Sequence, residues 1–264
     1  MKKHALIWFF ILAYGLSWIV EIPLALQSNR IIRKIIPYSF HYLVGYGPLV
    51  ASLVVTGFSD GAEGLKDLWQ RMTKWKVEPV WWLVAVSPLC IYLLVGTVLW
   101  LIHGEKPDLI SLGQVDHLPP LGLGAIPLWI LTFGLGEEVG WRGFALPRLQ
   151  NGHKALTATI LLWVFWALWH LPLFFYSYDF SIVPGMLIGL LAGAIIFTWL
   201  YNSTGGSVLI SAIWHGLFNY TTACISCKVG SIAAIISTLV MVWSVVVLFL
   251  FKSINLSRSE RQII

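Results

Sequence analysis

Glu137, Glu138 and Arg142 lie within six residues of one another, inside an otherwise apolar stretch from Leu121 to Leu149. Downstream, Ala167-Leu168-Trp169-His170 is echoed by Ala212-Ile213-Trp214-His215, and Asn219 follows four residues after the second histidine. A carboxylate, two imidazoles and a carboxamide on separate apolar segments are raw material for hydrolysis. A carboxylate takes a proton from water while aimed donors meet a developing oxyanion. Glu138 and Arg142 have the i, i+4 spacing that puts opposite charges on one helix face, so they can neutralise each other. Glu137 sits about 100° further round an α-helix, out of easy reach of the same arginine, and is left for another task. Asn219, one turn beyond His215, shares its face.

Blander arrangements use the same residues. A buried carboxylate beside a cation can be a static network, and a lone intramembrane histidine such as His170 can simply hydrogen-bond to a neighbouring helix. Glu137, His170 and His215 could also hold a metal, with zinc the ion suited to such ligands. The His-Glu-x-x-His spacing of soluble zinc proteases is absent, however, so the spacing gives no firm cofactor.

The solvent follows from composition. Of 264 residues, 58% are hydrophobic and 11% charged, fifteen are Trp, and mean hydropathy is +0.80. Such a chain cannot cover a water-soluble globule with polar surface. The expected fold is all-α, a polytopic bundle of about eight transmembrane helices forming one integral-membrane domain over 1–264, with its motif core at 121–225. Runs long enough to span about 30 Å of hydrocarbon fall at Ala5–Leu26, Pro37–Phe58, Val80–Ile102, Leu121–Leu146, Ala155–Phe175, Ile182–Tyr201, Ser207–Ile225 and Gly230–Phe251.

The basic residues set an orientation. With a cytoplasmic N-terminus, all but Arg30, Arg33, Lys34, Lys106 and Lys228 of the seventeen Lys and Arg fall inside, which favours cytoplasmic N- and C-termini. The net charge of +5 is then a topology signal, and no nucleic-acid partner is expected. Lys2 and Lys3 precede an apolar run too long for a signal peptide, and it contains Glu21 ahead of Pro23, so an uncleaved first helix is expected. Within 60–77, Leu65, Leu68, Trp69, Met72 and Trp75 recur at helical spacing among Lys66, Arg71, Lys74 and Lys76, which suits an amphipathic helix lying on the cytoplasmic leaflet. Gly185, Gly189 and Gly193 predict close backbone packing on the sixth helix. Cys224 and Cys227 have redox spacing without a βαβ context, and Cys90 stands alone.

Taken in order, Glu137-Glu138-x-x-x-Arg142, Trp166-x-x-x-His170 and His215-x-x-x-Asn219 resemble the three-motif signature of the CPBP family, the CAAX-type intramembrane endopeptidases and their bacteriocin-related relatives. The resemblance implies a site in a membrane cavity open to the cytosol, a membrane-associated peptide or protein as substrate, and residence in a bacterial cytoplasmic membrane among its lipids. It also implies Glu137 as general base, His170 as its partner in holding water, His215 and Asn219 as oxyanion donors, and Glu138 with Arg142 as a supporting pair. Trp166 replaces the family's usual Phe; an aromatic wall survives the change. Two other readings use the same segments: a non-catalytic immunity protein of the same fold, whose mark would be decayed motifs, and a proton-coupled transporter, whose mark would be inverted repeats with broken helices. All polar motif positions are filled, and the one internal echo joins helices expected to be parallel.

Overall fold

A computed structural model describes residues 4–104, 109, 112–113, 119, 121–222 and 232–264. All regular structure among the described residues is helical. α1 (Ala5–Ser28), α2 (Tyr46–Ser59), α3 (Gly61–Met72) and α4 (Pro79–His103) come first, with a 3-10 turn at Tyr38–Leu43 leading into α2. Residues 125–152 do not form one regular helix. They wind as α5 (Ala125–Trp129), a π-helical stretch at Ile130–Leu135, α6 (Gly136–Glu138), a second π-helical stretch at Val139–Ala145, and α7 (Leu146–Gly152). α8 (Ala155–Trp169), α9 (Val183–Ser203), α10 (Val208–Thr222) and α11 (Ile232–Leu250) complete a polytopic membrane bundle.

Among the described residues, six segments are long and apolar enough to cross a membrane: Ala5–Ser28, Tyr38–Ser59, Pro79–His103, Ala155–Phe175, Phe180–Ser203 and Ile232–Leu250. The expected count of eight is thus met by six. The two stretches outside that set, 121–146 and 207–225, carry Glu137 and His215. One is interrupted by π-helical winding, and in the other α10 is described over 15 residues. Lys2, Lys3, Lys106, Lys228, the Cys224 and Cys227 pair, Ile225 and Gly230 lie outside the described residues.

Helix exteriors carry large exposed apolar side chains, Ile19, Leu101 and Phe249 among them, which only a hydrocarbon solvent tolerates on this scale. Pro23 in α1 and Pro88 in α4 are the helix breakers that membrane helices accept. The amphipathic helix expected within 60–77 is present as α3. Leu68 is its buried anchor and Trp69 faces outward, while Trp75, also exposed, lies beyond the end of the helix. Arg71 ties α3 to the bundle, donating to Asp67 at 2.5 Å, to the Tyr201 hydroxyl at 3.0 Å and to the Gly143 carbonyl within the second π-helical stretch.

Close backbone packing occurs elsewhere than the sequence suggested. A Cβ on Gly185 would meet open space, and on Gly189 and Gly193 it would make ordinary contacts with side chains of Met241, Phe197 and Trp166. The tight approaches flank the motif stretch instead. A Cβ on Gly216 of α10 would stand 2.6 Å from the Ile130 Cα, and one on Gly140 would stand 2.5 Å from the Pro48 Cβ of α2. The irregular segment is therefore gripped between α2 and α10, and glycine is what lets the backbones come so near. Gly140→Ala and Gly216→Ala should each cost about 1–3 kcal/mol through overpacking, read as a lowered midpoint of thermal unfolding in detergent. Gly185→Ala is the control and should leave the midpoint unchanged or raise it.

Candidate active site

The site is assembled from the π-wound segment, the C-terminal end of α8 and the middle of α10. Glu138 is completely buried, and its Oε1 accepts from Arg142 Nη1 at 2.9 Å and from His215 Nδ1 at 2.8 Å. Its Oε2 is sealed from solvent and has no partner among the described residues. Arg142 is equally buried. Its guanidinium lies between two rings, 4.5 Å from the centroid of Trp166 and 4.2 Å from that of Phe197. Its Nε and Nη2 find no hydrogen-bond acceptor among the described residues, so the aromatic faces are what offset the lost hydration. The pairing expected from the i, i+4 spacing is present, with an imidazole added to it.

Glu137 is held differently. Its Oε2 accepts from the indole Nε1 of Trp166 at 2.8 Å. Its Oε1 has no hydrogen-bond partner among the described residues, and the residue keeps 3% of its surface accessible where Glu138 keeps none. The carboxylate lies within electrostatic reach of His215, Glu138 and Arg142. One glutamate is thus locked into an ion network while its neighbour presents a free oxygen.

His170 owes its orientation to the way α8 ends. Pro172 cannot continue the helix, and the last turn tightens so that the His170 amide donates to the Ala167 carbonyl at 3.2 Å. The Trp166 carbonyl is thereby released, and His170 Nδ1 donates to it at 2.7 Å. A carbonyl can only accept, so Nδ1 carries the proton and the neutral ring presents an unprotonated Nε2. Trp18 of α1 donates to the Trp169 carbonyl at 3.0 Å and Tyr14 to the Phe165 carbonyl at 2.5 Å, clamping the same helix end. His170 lies within electrostatic reach of His215.

His215 has the mirror arrangement, with Nδ1 on a carboxylate and Nε2 free. With Nδ1 donating to Glu138, its Nε2 bears a proton only when the ring is an imidazolium. Asn219 lies one turn further along α10, partly buried, and no hydrogen bond to a described residue engages its side chain. Trp166 joins these groups. It donates to Glu137, receives His170 on its carbonyl, meets the His215 ring edge-on at 6.0 Å between centroids, and faces Arg142.

Among the described residues, no group of three or more His, Cys, Asp or Glu is gathered to hold a metal ion. Glu137, His170 and His215, the set considered for zinc, stand near one another without forming a ligand cage, and one Glu137 oxygen is already committed to Trp166.

A second polar cluster next to the site was not read from the sequence. Glu21 of α1, 1% exposed, accepts from the Tyr176 hydroxyl at 3.3 Å, and that hydroxyl lies 2.8 Å from His41 Nδ1. Glu21 is within electrostatic reach of Glu137, and His41 of His170. Glu21 alone had a signal, being an ionisable residue in a membrane span. His41 and Tyr176 have no spacing that would link them to it.

Fold and site together define a polytopic all-α membrane protein with a buried Glu/His constellation. Residues 119–221 match the family model described as type II CAAX prenyl endopeptidase Rce1-like. A CAAX prenyl protease 2 from Methanococcus maripaludis is 35% identical to the chain over 115 residues, a match covering 40% of this chain and 40% of the relative. The segment that matches the family model contains all three motifs.

The two buried carboxylates should respond differently to mutation. Arg142→Met strands Glu138 without its cation and should cost about 3–5 kcal/mol. Glu137→Gln keeps an acceptor for Trp166 and should leave the unfolding midpoint near that of the unsubstituted protein. Thermal unfolding of the two variants in detergent checks the difference.

Proposed function

We propose that the protein is an intramembrane endopeptidase of CAAX type, hydrolysing a peptide bond near the C-terminal tail of a membrane-associated, lipidated peptide or protein. The observation that carries this reading is the contrast between Glu138, sealed in an ion network, and Glu137, with one oxygen held and the other free. In the proposed reaction Glu137 takes a proton from water while His170 Nε2 accepts that water's other hydrogen. The hydroxide attacks the substrate carbonyl carbon. Asn219 and the His215 imidazolium donate to the oxygen as it becomes negative. Glu137 then passes its proton to the leaving amine as the C–N bond breaks. Glu138 keeps His215 oriented, and Arg142 balances Glu138.

The basic-residue bias supports cytoplasmic N- and C-termini, with the substrate tail entering from the cytosol. Catalysis is proposed to run on water activated by Glu137, any zinc being weakly bound, because the histidines and Glu137 do not form a closed ligand set.

Proteoliposomes carrying the purified protein should cleave a lipidated C-terminal peptide, and Glu137→Gln should abolish cleavage while the protein still inserts and stays monodisperse. Wild-type rates in Glu137→Gln would end this reading. The preparation should also contain substoichiometric zinc by elemental analysis and lose activity only slowly or partially to chelators. Stoichiometric zinc whose removal abolishes activity would instead make the protein a true metalloprotease.

A further inference from the structure

Trp166 does something that the aromatic residue usual in this motif cannot. A phenylalanine offers a wall. The indole offers the same wall and an N–H, and here that N–H lies 2.8 Å from Glu137 Oε2. Both partners are buried, Trp166 at 4% and Glu137 at 3% exposure, so little water competes for the contact. The opposite electrostatic contact falls on the same ring system, where the Arg142 guanidinium sits 4.5 Å from the centroid. A cation on the ring face draws electron density from the indole and sharpens its N–H as a donor.

We propose that Trp166 is a positioning residue that chooses the working oxygen of the base: it commits Oε2 of Glu137 and leaves Oε1 to receive the proton from water. The inference rests on the protease reading and adds to it a residue whose hydrogen bond, rather than its bulk, sets the base. A glutamate side chain can turn about its last bond and exchange its oxygens. One buried charge-assisted hydrogen bond removes that freedom and holds the carboxylate plane at one angle to His170. His170 shares the constraint, because its Nδ1 donates to the carbonyl of the same Trp166 at 2.7 Å. The base and the water-holding imidazole are thus both referred to one residue. The charged and titratable groups that reach Glu137 are Glu138 and Arg142 on its own segment, His215 on α10 and Glu21 on α1. None of them makes a hydrogen bond to Glu137 among the described residues.

The test removes the N–H and keeps the ring. Trp166→Phe retains an aromatic wall. Replacement of Trp166 by β-(3-benzothienyl)alanine retains the bicyclic shape and the face toward Arg142, and exchanges only the N–H for sulfur. Both variants should reconstitute, bind the lipidated peptide with unchanged KM, and lose about 10–100-fold in kcat, the range expected for a hydrogen bond to a charged group. A residue that only filled space would show its loss in Trp166→Phe and full recovery in the benzothienyl variant. Full kcat in the benzothienyl variant therefore overturns the inference. A second readout does not depend on turnover: the indole N–H resonance of Trp166, assigned by its disappearance in Trp166→Phe, should shift in Glu137→Ala to the position of an unbonded indole. An indole resonance indifferent to Glu137→Ala also overturns it. Absence of wild-type cleavage on every lipidated peptide would defeat the protease reading, and the resonance would then decide the Trp166–Glu137 contact alone.

Discussion

A fully buried arginine governs this part of the bundle. Arg142 is fully buried, and its charge is met by Glu138 and by the faces of Trp166 and Phe197. A buried ion pair is worth little in net stability, yet removing one partner is severe, so every group around it is obliged to stay where it is. That obligation gives the site its rigidity. Glu138 is pinned by Arg142, His215 is pinned by Glu138, and Trp166 is pinned beneath the guanidinium with its N–H toward Glu137. Oε1 of Glu137, which no described residue engages, is the oxygen that the proposed chemistry needs.

The helices are shaped to permit this. Regular α-winding through 125–152 would fix each side chain at about 100° per residue. Two π-helical stretches on either side of Glu137 and Glu138 change that rotation, as π-turns often do at functional sites. Gly140 and Gly216 admit the backbones of α2 and α10 against the irregular segment. At the end of α8, the tightened turn before Pro172 exposes the carbonyl that orients His170. Packing at glycines and a proline thus sets the aim of Glu137 and His170.

Much of this was legible in the residues themselves. Charges within an apolar run, the four-residue spacing from Glu138 to Arg142 and the repeated Ala-x-Trp-His context pointed to the groups that the fold gathers. The spacing argument separated Glu137 from Glu138 correctly, though the segment that carries them is not the plain α-helix it assumed. Illegible were the features that depend on long-range packing. Hydropathy cannot see π-winding, so the stretch at 121–146 read as an ordinary span. The glycine repeat in α9 mimicked a helix-packing motif, while tight contacts fell at Gly140 and Gly216. His41 and Tyr176 join Glu21 only because α1 meets the 3-10 turns at Tyr38–Leu43 and Leu171–Phe175, a meeting with no local sequence signature.

A double-mutant cycle on Glu138 and Arg142 tests most directly whether this ion network is the constraint on which the site depends. Stability of the wild type, Glu138→Gln, Arg142→Met and the double variant would be measured by reversible unfolding in the same detergent. Each single change leaves one member of the pair without the other, whereas the double change removes both charges of the pair. The account predicts that the double variant recovers most of the loss, with a coupling of about 3 kcal/mol. Losses that simply add would contradict it, showing that Glu138 and Arg142 are stabilised independently and that the site has no shared electrostatic anchor.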